Sequence, residues 1–154
     1  MIKVTKFGGS SLASAQQMEK VGNIIRSDPD RKYIIPSAPG KRFSDDTKVT
    51  DMLYQCYDAA SEGEDIDQRI AEIAARYQEI IDGLHIDLSL DDEFAVIKDL
   101  FKRRAGRDYA ASRGEYLNGI VLAAYLGSDA MCTDIPFTMK PWLEKNAPWL
   151  NVIY

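Results

Sequence analysis

The spacing of apolar residues changes twice in the first 36 residues, and each change predicts a new element. Alternating apolar and polar residues before a Gly-Gly pair predict a strand over residues 2–7. Apolar residues three or four apart then predict an amphipathic helix over residues 14–26. The compact run Tyr33-Ile34-Ile35, which ends at a proline, predicts a second, buried strand. Strand, glycine turn, helix and strand make a βαβ unit, and such units build parallel sheets with right-handed crossovers.

Spacings of three and four continue through the middle of the chain and predict four more helices. One ends near Gly63 and the next at Gly83. A third begins with the acidic triplet 91–93, whose charges suit a helix N-terminus, and a fourth runs from Gly106 to Gly127. Cys56 falls on an apolar helix face, so we expect it in the core rather than as a nucleophile. The chain is therefore predicted to be an α/β protein.

The last segment, residues 128–154, has a different character. Three prolines and both tryptophans crowd into it without a clean period of 2 or 3.6. Leu150, Val152 and Ile153 could make a short terminal strand or an interface segment. We therefore divide the chain into residues 1–127 and an atypical tail.

Composition narrows the classes of function. With 154 residues, of which 45% are hydrophobic and 28% charged, the chain fits one soluble globular domain. Nineteen basic against 24 acidic residues give a net charge of −5, and the absence of a basic run argues against a nucleic-acid partner. No apolar stretch could cross a bilayer and the first residues lack a signal-peptide core, so we expect a cytoplasmic protein without a membrane partner. One histidine, His85, and two cysteines outside any ligand spacing predict no metal site.

The strongest chemical signal lies between the first strand and the first helix, where residues 6–11 read Lys-Phe-Gly-Gly-Ser-Ser. Gly8 and Gly9 would let a ligand approach the backbone, and the amides that follow, such as that of Ser10, would point outward at a helix N-terminus. Lys6 adds a charge suited to phosphate. Because the lysine precedes the glycines, this is neither a Walker sequence nor the dinucleotide fingerprint. A phosphate cradle and a plain turn both remain open.

Two further polar regions are weaker when taken alone. Residues 37–42 read Ser-Ala-Pro-Gly-Lys-Arg, and Ser37 would share the first loop's crevice because loops at the carboxyl ends of parallel strands meet at one edge. The alternative is a turn followed by a solvated Lys-Arg pair. In residues 47–51, Thr-Lys-Val-Thr-Asp, a Thr or Asp that simply caps the helix is the favoured interpretation when the segment is taken alone. Glu115, in the segment Ser-Arg-Gly-Glu, could receive an ammonium group or be an ordinary surface residue.

These motifs resemble a known family when they are taken together. Residues 6–13, Lys-Phe-Gly-Gly-Ser-Ser-Leu-Ala, resemble the signature of aspartate kinases within the amino-acid kinase family. Residues 37–42 and 48–53 resemble that family's second and third site segments, and residues 112–117 resemble its substrate-carboxylate segment. Counting residues 37–53 as one region, three motifs in the right order are much more specific than any one, and together they cover residues 2 to about 127.

The resemblance implies a three-layer αβα fold around a mainly parallel sheet. It also implies transfer of the γ-phosphoryl group of ATP to the side-chain carboxylate of L-aspartate, for lysine, threonine and methionine synthesis. Lys6 would be catalytic, stabilising the transferring group, while the amides of Gly8, Gly9 and Ser10 would hold phosphate oxygens. Mg²⁺ bridging the phosphates would complete the site.

On the acceptor side, the resemblance implies that Ser37 and Thr50 contact the substrate and that Glu115 pairs with the aspartate ammonium group. Such kinases are much longer than this chain, which therefore resembles their N-terminal part without the adenine side. We expect the isolated chain to be inactive and to work as a homo-oligomer or with a complementing C-terminal half. The alternatives are another amino-acid kinase, acting on glutamate, acetylglutamate or a nucleotide, and a non-catalytic binding or assembly module.

Overall fold

The computed structural model describes residues 2–127, which form two strands and five α-helices. The predicted tail, with its candidate strand near residue 150, lies outside the described residues. In chain order the elements are β1 (Lys3–Phe7), a short 3-10 helix (Gly9–Leu12), α1 (Ala15–Arg26), β2 (Arg31–Pro36), α2 (Val49–Glu62), α3 (Asp67–Gly83), α4 (Asp91–Lys102) and α5 (Arg107–Leu126).

The predicted βαβ unit is confirmed. Strands β1 and β2 pair in parallel, with Val4 opposite Tyr33 and Lys6 opposite Ile35. Helix α1 connects the strands and begins where the sequence predicts, because the side chain of Ser14 accepts a hydrogen bond from its first turn. The α/β class with a parallel sheet is therefore confirmed.

The segment between the glycine turn and α1 has a structure of its own. A short 3-10 helix stands between them. The Ser11 amide donates to the Gly8 carbonyl at 3.0 Å, which closes a 3-10 turn, and Ser14 then starts a separate helix. The amides after the glycines consequently belong to this short 3-10 helix and not to the end of a long α-helix.

The buried apolar residues of the helices gather on one face of the sheet. Phe7 and Ile34 lie on this face and join a hydrophobic cluster to which all five helices contribute. Cys56 is fully buried in that cluster, as predicted, and burial raises the pKa of its thiol to about 11. The opposite face of β1 is open among the described residues, since Val4 is 63% exposed.

Helix α5 brings the later part of the chain back to the sheet. It packs against α2 and β2, and the Asn118 amide donates to the Ser37 carbonyl just beyond β2 at 2.6 Å. This contact places the middle of α5 beside the loop that leaves β2. Within residues 2–127, no helix combines the length and the apolarity needed to cross a membrane.

Candidate functional site

An open cleft of about 470 Å³ lies at the carboxyl ends of the two strands, where ligands bind in parallel α/β sheets. Its wall is built from the loops after both strands, from the start of α2 with Lys48 before it, and from α5. The lining residues are Gly9, Ser10, Ser37, Ala38, Pro39, Gly40, Lys41, Lys48, Thr50 and Glu115. The structure thus brings together five of the predicted site residues, namely Gly9, Ser10, Ser37, Thr50 and Glu115.

Two predicted site residues, Lys6 and Gly8, do not belong to this wall. Lys6 is exposed within β1 and, by the alternation of strand side chains, lies on the same open face as Val4. Gly8 is exposed as well, and a Cβ added there would meet open space. Their contact with a phosphate group stays a prediction.

The loops after β1 and β2 touch backbone to backbone at two glycines. The Gly40 amide donates to the Gly9 carbonyl at 2.8 Å. A Cβ on Gly9 would lie 2.8 Å from the Ala38 carbonyl oxygen, and one on Gly40 would lie 2.7 Å from the carbonyl carbon of Gly9. Neither position accepts a side chain. The sequence predicts Gly9 as a point of approach for a ligand, and the structure shows that its missing side chain also admits the second loop.

Thr50 reaches the cleft from the first turn of α2. That helix begins after Lys48, and no side chain caps its N-terminus. The capping interpretation, in which a nearby Thr or Asp merely caps the helix, is therefore wrong. The Val49 amide instead donates to the Pro39 carbonyl at 3.2 Å, which joins the start of α2 to the loop after β2.

Glu115 reaches the cleft from α5 and is exposed to solvent there. Its helix can approach because Gly114 has no side chain: a Cβ on Gly114 would lie 2.6 Å from the Cβ of Ala38. Arg113 has a different role. Its buried guanidinium lies 4.4 Å and 4.6 Å from the ring centroids of Tyr109 and Tyr116. Within the Ser-Arg-Gly-Glu segment, Glu115 therefore faces the cleft, while the arginine contacts aromatic rings of its own helix.

The charge of the cleft wall comes from two lysines and one carboxylate. Lys41 and Lys48 are exposed on it, and the Lys41 ammonium group also donates to the Ser44 carbonyl at 3.1 Å. Neither lysine was a predicted site residue, although both lie in the motifs. A wall with excess positive charge suits phosphate groups, and Glu115 offers one partner for an ammonium group.

The second member of the Lys-Arg pair is exposed, as expected of a solvated pair, but its guanidinium is also held by two carboxylates. Arg42 forms ion pairs with Asp46 at 2.8 Å and with Glu79 at 2.6 Å. The Arg42 guanidinium holds the pKa of the Asp46 carboxyl well below its usual value of 3.8, against the opposing effect of burial. This ion-pair cluster fastens the loop that follows the cleft to α3.

Sequence reasoning missed a buried arginine behind the cleft. Arg76 of α3 donates from Nη2 to the Gly40 carbonyl at 3.0 Å and lies 3.4 Å from Asp46. The signal was available, because Arg76 follows Ile73 by three residues and precedes Ile80 by four, inside the apolar stripe of its helix. A charged residue within such a stripe indicates a specific buried partner.

The resemblance implies ATP and Mg²⁺, and these two groups fit the cleft to different degrees. Lysines and close-packed loop backbone suit a polyphosphate. For Mg²⁺, the part of the chain from Ile2 to Gly127 offers no group of three or more His, Cys, Asp or Glu residues that could hold a metal ion. The phosphoryl transfer considered for this cleft therefore takes no metal ligand from these residues.

No model of a known protein family matches the chain. Aspartokinase 3 of Bacillus subtilis (strain 168) is 39% identical over 133 residues, which are 80% of this chain and 29% of that protein. The chain thus spans less than a third of the length of this curated relative.

Two solved structures share the fold. Aspartate kinase of Clostridium acetobutylicum superposes with a TM-score of 0.77 at 52% identity, over 80% of this chain and 29% of that one. E. coli aspartokinase III, solved in complex with aspartate and ADP, gives a TM-score of 0.65 at 21% identity over 82% and 29%. Over about 80% of its length, this chain is homologous to aspartate kinases and corresponds to the N-terminal part of the full-length enzyme.

Proposed function

We propose that this chain carries the aspartate-binding and phosphate-binding part of an aspartate kinase site. The observation that carries the proposal is the meeting of three motifs, distant in sequence, in one cleft with two lysines and one exposed carboxylate. The reaction is transfer of the γ-phosphoryl group of ATP to the side-chain carboxylate of L-aspartate. A carboxylate oxygen forms the new bond to phosphorus, the bond from phosphorus to the bridging oxygen breaks, and ADP leaves.

On the acceptor side, Glu115 pairs with the ammonium group of aspartate. Ser37 and Thr50, both half-buried on the same wall, donate hydrogen bonds to its carboxylates. These contacts hold the acceptor in place, and correct placement is a large part of catalysis in a two-substrate reaction. The ion pair with Glu115 selects an amino acid over a simple dicarboxylate.

On the donor side, the residues supply positive charge and amide donors. The amides of Gly8, Gly9 and Ser10 hold phosphate oxygens, and Lys6 stabilises the group in transit. Lys41 and Lys48 on the cleft wall add to the positive field. Phosphoryl transfer needs positioning and charge neutralisation more than covalent help from the protein, and these residue types provide both.

A complete kinase site also needs a side that binds the adenine of ATP. Because the chain spans less than a third of its relatives, we propose that the adenine side comes from a complementing C-terminal half or from another copy of the chain. ATP and, in the complete site, Mg²⁺ are the proposed cofactors. The E. coli neighbour was solved with aspartate and ADP, which makes those two molecules the appropriate probes.

Titration calorimetry on the 154-residue chain tests the proposal. We expect L-aspartate to bind more tightly than L-glutamate, and Glu115→Gln to weaken aspartate about tenfold or more while ADP affinity is unchanged, because one charge-assisted contact is lost. Glu62→Gln is the matched control, since Glu62 is exposed at the other end of α2 and does not line the cleft. Tighter binding of glutamate would favour another amino-acid kinase. Binding of neither amino acid would refute the proposed site.

A further inference from the structure

Helix α3 contacts the phosphate side of the cleft through a buried arginine. The Arg76 side chain is only 6% exposed, yet its Nη2 donates to the carbonyl of Gly40, the residue that meets Gly9. The contact joins residues 36 positions apart in the chain. Any shift of the Arg76 guanidinium therefore moves the loop contact that shapes this wall.

The next residue of α3 contacts the other wall. Tyr77 is fully buried, and its hydroxyl donates to the carbonyl of Gly114 at 2.9 Å, one residue before Glu115. Burial, and then the charge of Glu115, raises the pKa of Tyr77 well above its usual 10.0, so the phenol remains a proton donor. Two consecutive residues of one helix thus hold the two sides of the cleft.

Core packing alone does not account for the arginine. Its Nε and Nη1 are buried without a hydrogen-bond partner among residues 2–127, although Nη1 lies 3.9 Å from the Glu79 carboxylate and Nη2 lies 3.4 Å from that of Asp46. Burial lowers the pKa of the guanidinium despite these two carboxylates. A buried charge with unsatisfied donors opposes folding, and an apolar residue of similar size commonly serves stability as well or better. A residue that costs stability at this position is expected to serve another purpose.

We propose that Arg76 and Tyr77 are positioning residues, which act through Gly40 and Gly114 to hold the phosphate wall and the aspartate wall of the cleft at a fixed separation. The inference rests on the proposed function for the identity of the two ligands. Arg76 governs the placement of the loops at Gly9 and Gly40, and so affects the phosphate side. Tyr77 governs the placement of Glu115, and so affects the acceptor side.

The first test measures ADP and L-aspartate affinities of the 154-residue chain by calorimetry. We expect Arg76→Met to weaken ADP about tenfold with little change for aspartate, because one charged hydrogen bond to the loop is lost. Tyr77→Phe should show the reverse pattern, and Arg76→Lys should recover part of the ADP affinity. Arg69→Met on the exposed side of α3 and Tyr54→Phe on α2 are the matched controls.

The second test does not depend on either ligand. Amide hydrogen exchange followed by NMR should show that Arg76→Met speeds exchange at Gly40 about tenfold, while Tyr77→Phe leaves that amide unchanged. Exchange of core amides, such as that of Ile73, should stay the same in both variants. The melting temperature of Arg76→Met should remain close to that of the unmodified chain, since Asp46 keeps Arg42 as its partner.

The outcomes separate the two proposals. If the unmodified chain binds neither ligand, the proposed function fails, and the exchange of Gly40 alone decides the positioning role. A crossed loss of ADP and aspartate affinity, or faster exchange confined to Gly40, supports that role. Affinities that fall together in proportion to lost stability overturn it. So does unchanged exchange at Gly40 in Arg76→Met.

Discussion

Replacement of Gly114 by alanine tests whether α5 depends on a missing side chain to reach the cleft. The added Cβ would lie 2.6 Å from the Cβ of Ala38 and 3.4 Å from Cδ1 of Leu53. Carbon atoms pack best at about 3.5–4.0 Å, so the helix and the loop must separate by about 1 Å. The Cβ of Ala38 is bonded directly to the loop backbone, so this side chain has no flexible end that could move aside.

The magnitude follows from two opposing effects. Overpacking of this kind costs about 1–3 kcal/mol, whereas alanine in place of glycine inside a helix gains about 1 kcal/mol. Gly119→Ala is the matched control, because it lies on the same helix and its Cβ would meet only Pro36 Cγ at an ordinary 3.9 Å. That control receives the helix gain without the clash. The two variants should therefore differ by about 1–3 kcal/mol in the free energy of unfolding.

Thermal and urea unfolding of both variants measures this difference. For a chain of this size, 1 kcal/mol shifts the melting temperature by about 2–4 °C. We expect Gly119→Ala to melt above the unmodified chain and Gly114→Ala to melt below Gly119→Ala by several degrees. Aspartate affinity should fall only in Gly114→Ala, because the loop at Ala38 also carries Ser37.

An equal rise in stability for both alanine variants would refute the reasoning. It would mean that α5 does not approach Ala38 as closely as the structure places it. Unchanged aspartate affinity in a destabilised Gly114→Ala variant would refute only the link between this contact and the cleft.

Three further predictions address catalysis, pH and completeness. In the presence of a complementing C-terminal half, Lys6→Met should lower the rate of phosphoryl transfer by about a hundredfold or more. The melting temperature should not change, since Lys6 is exposed. Near-normal turnover in a coupled ADP-release assay would show that Lys6 is not catalytic. Asp46 has a folded-state pKa below the usual 3.8, so its stabilising effect is present above that pH and is lost as pH falls toward the folded-state value. Urea unfolding at pH 5 and pH 3 should therefore show a smaller acid loss in Asp46→Asn than in the unmodified chain, and an equal loss would contradict the role of the Arg42 ion pair. Without a partner, the 154-residue chain should release no ADP in response to aspartate, because it spans less than a third of its relatives; robust aspartate-dependent release would contradict this.

Much of the fold could be predicted because the relevant physics is local. Apolar spacing and glycine positions place the helix ends at Gly63 and Gly83 correctly. The side-chain period acts within a few residues, and at Gly63 the left-handed backbone that ends α2 favours glycine. The meeting of the three motifs was also predictable, because loops at the carboxyl ends of parallel strands share one edge. The role of each site residue was not tested by this agreement and stays a prediction.

Tertiary structure alone decided how polar groups pair across the chain. The bonds from Arg76 to Gly40 and from Tyr77 to Gly114 join residues 36 and 37 positions apart. Apolar spacing predicts which side of α3 is buried, but not which backbone carbonyl accepts a hydrogen bond from that side. The same limit explains Gly9, whose missing side chain is required by the close approach of a neighbouring loop. Backbone partners at such distances depend on how whole elements pack, and no local pattern records that packing.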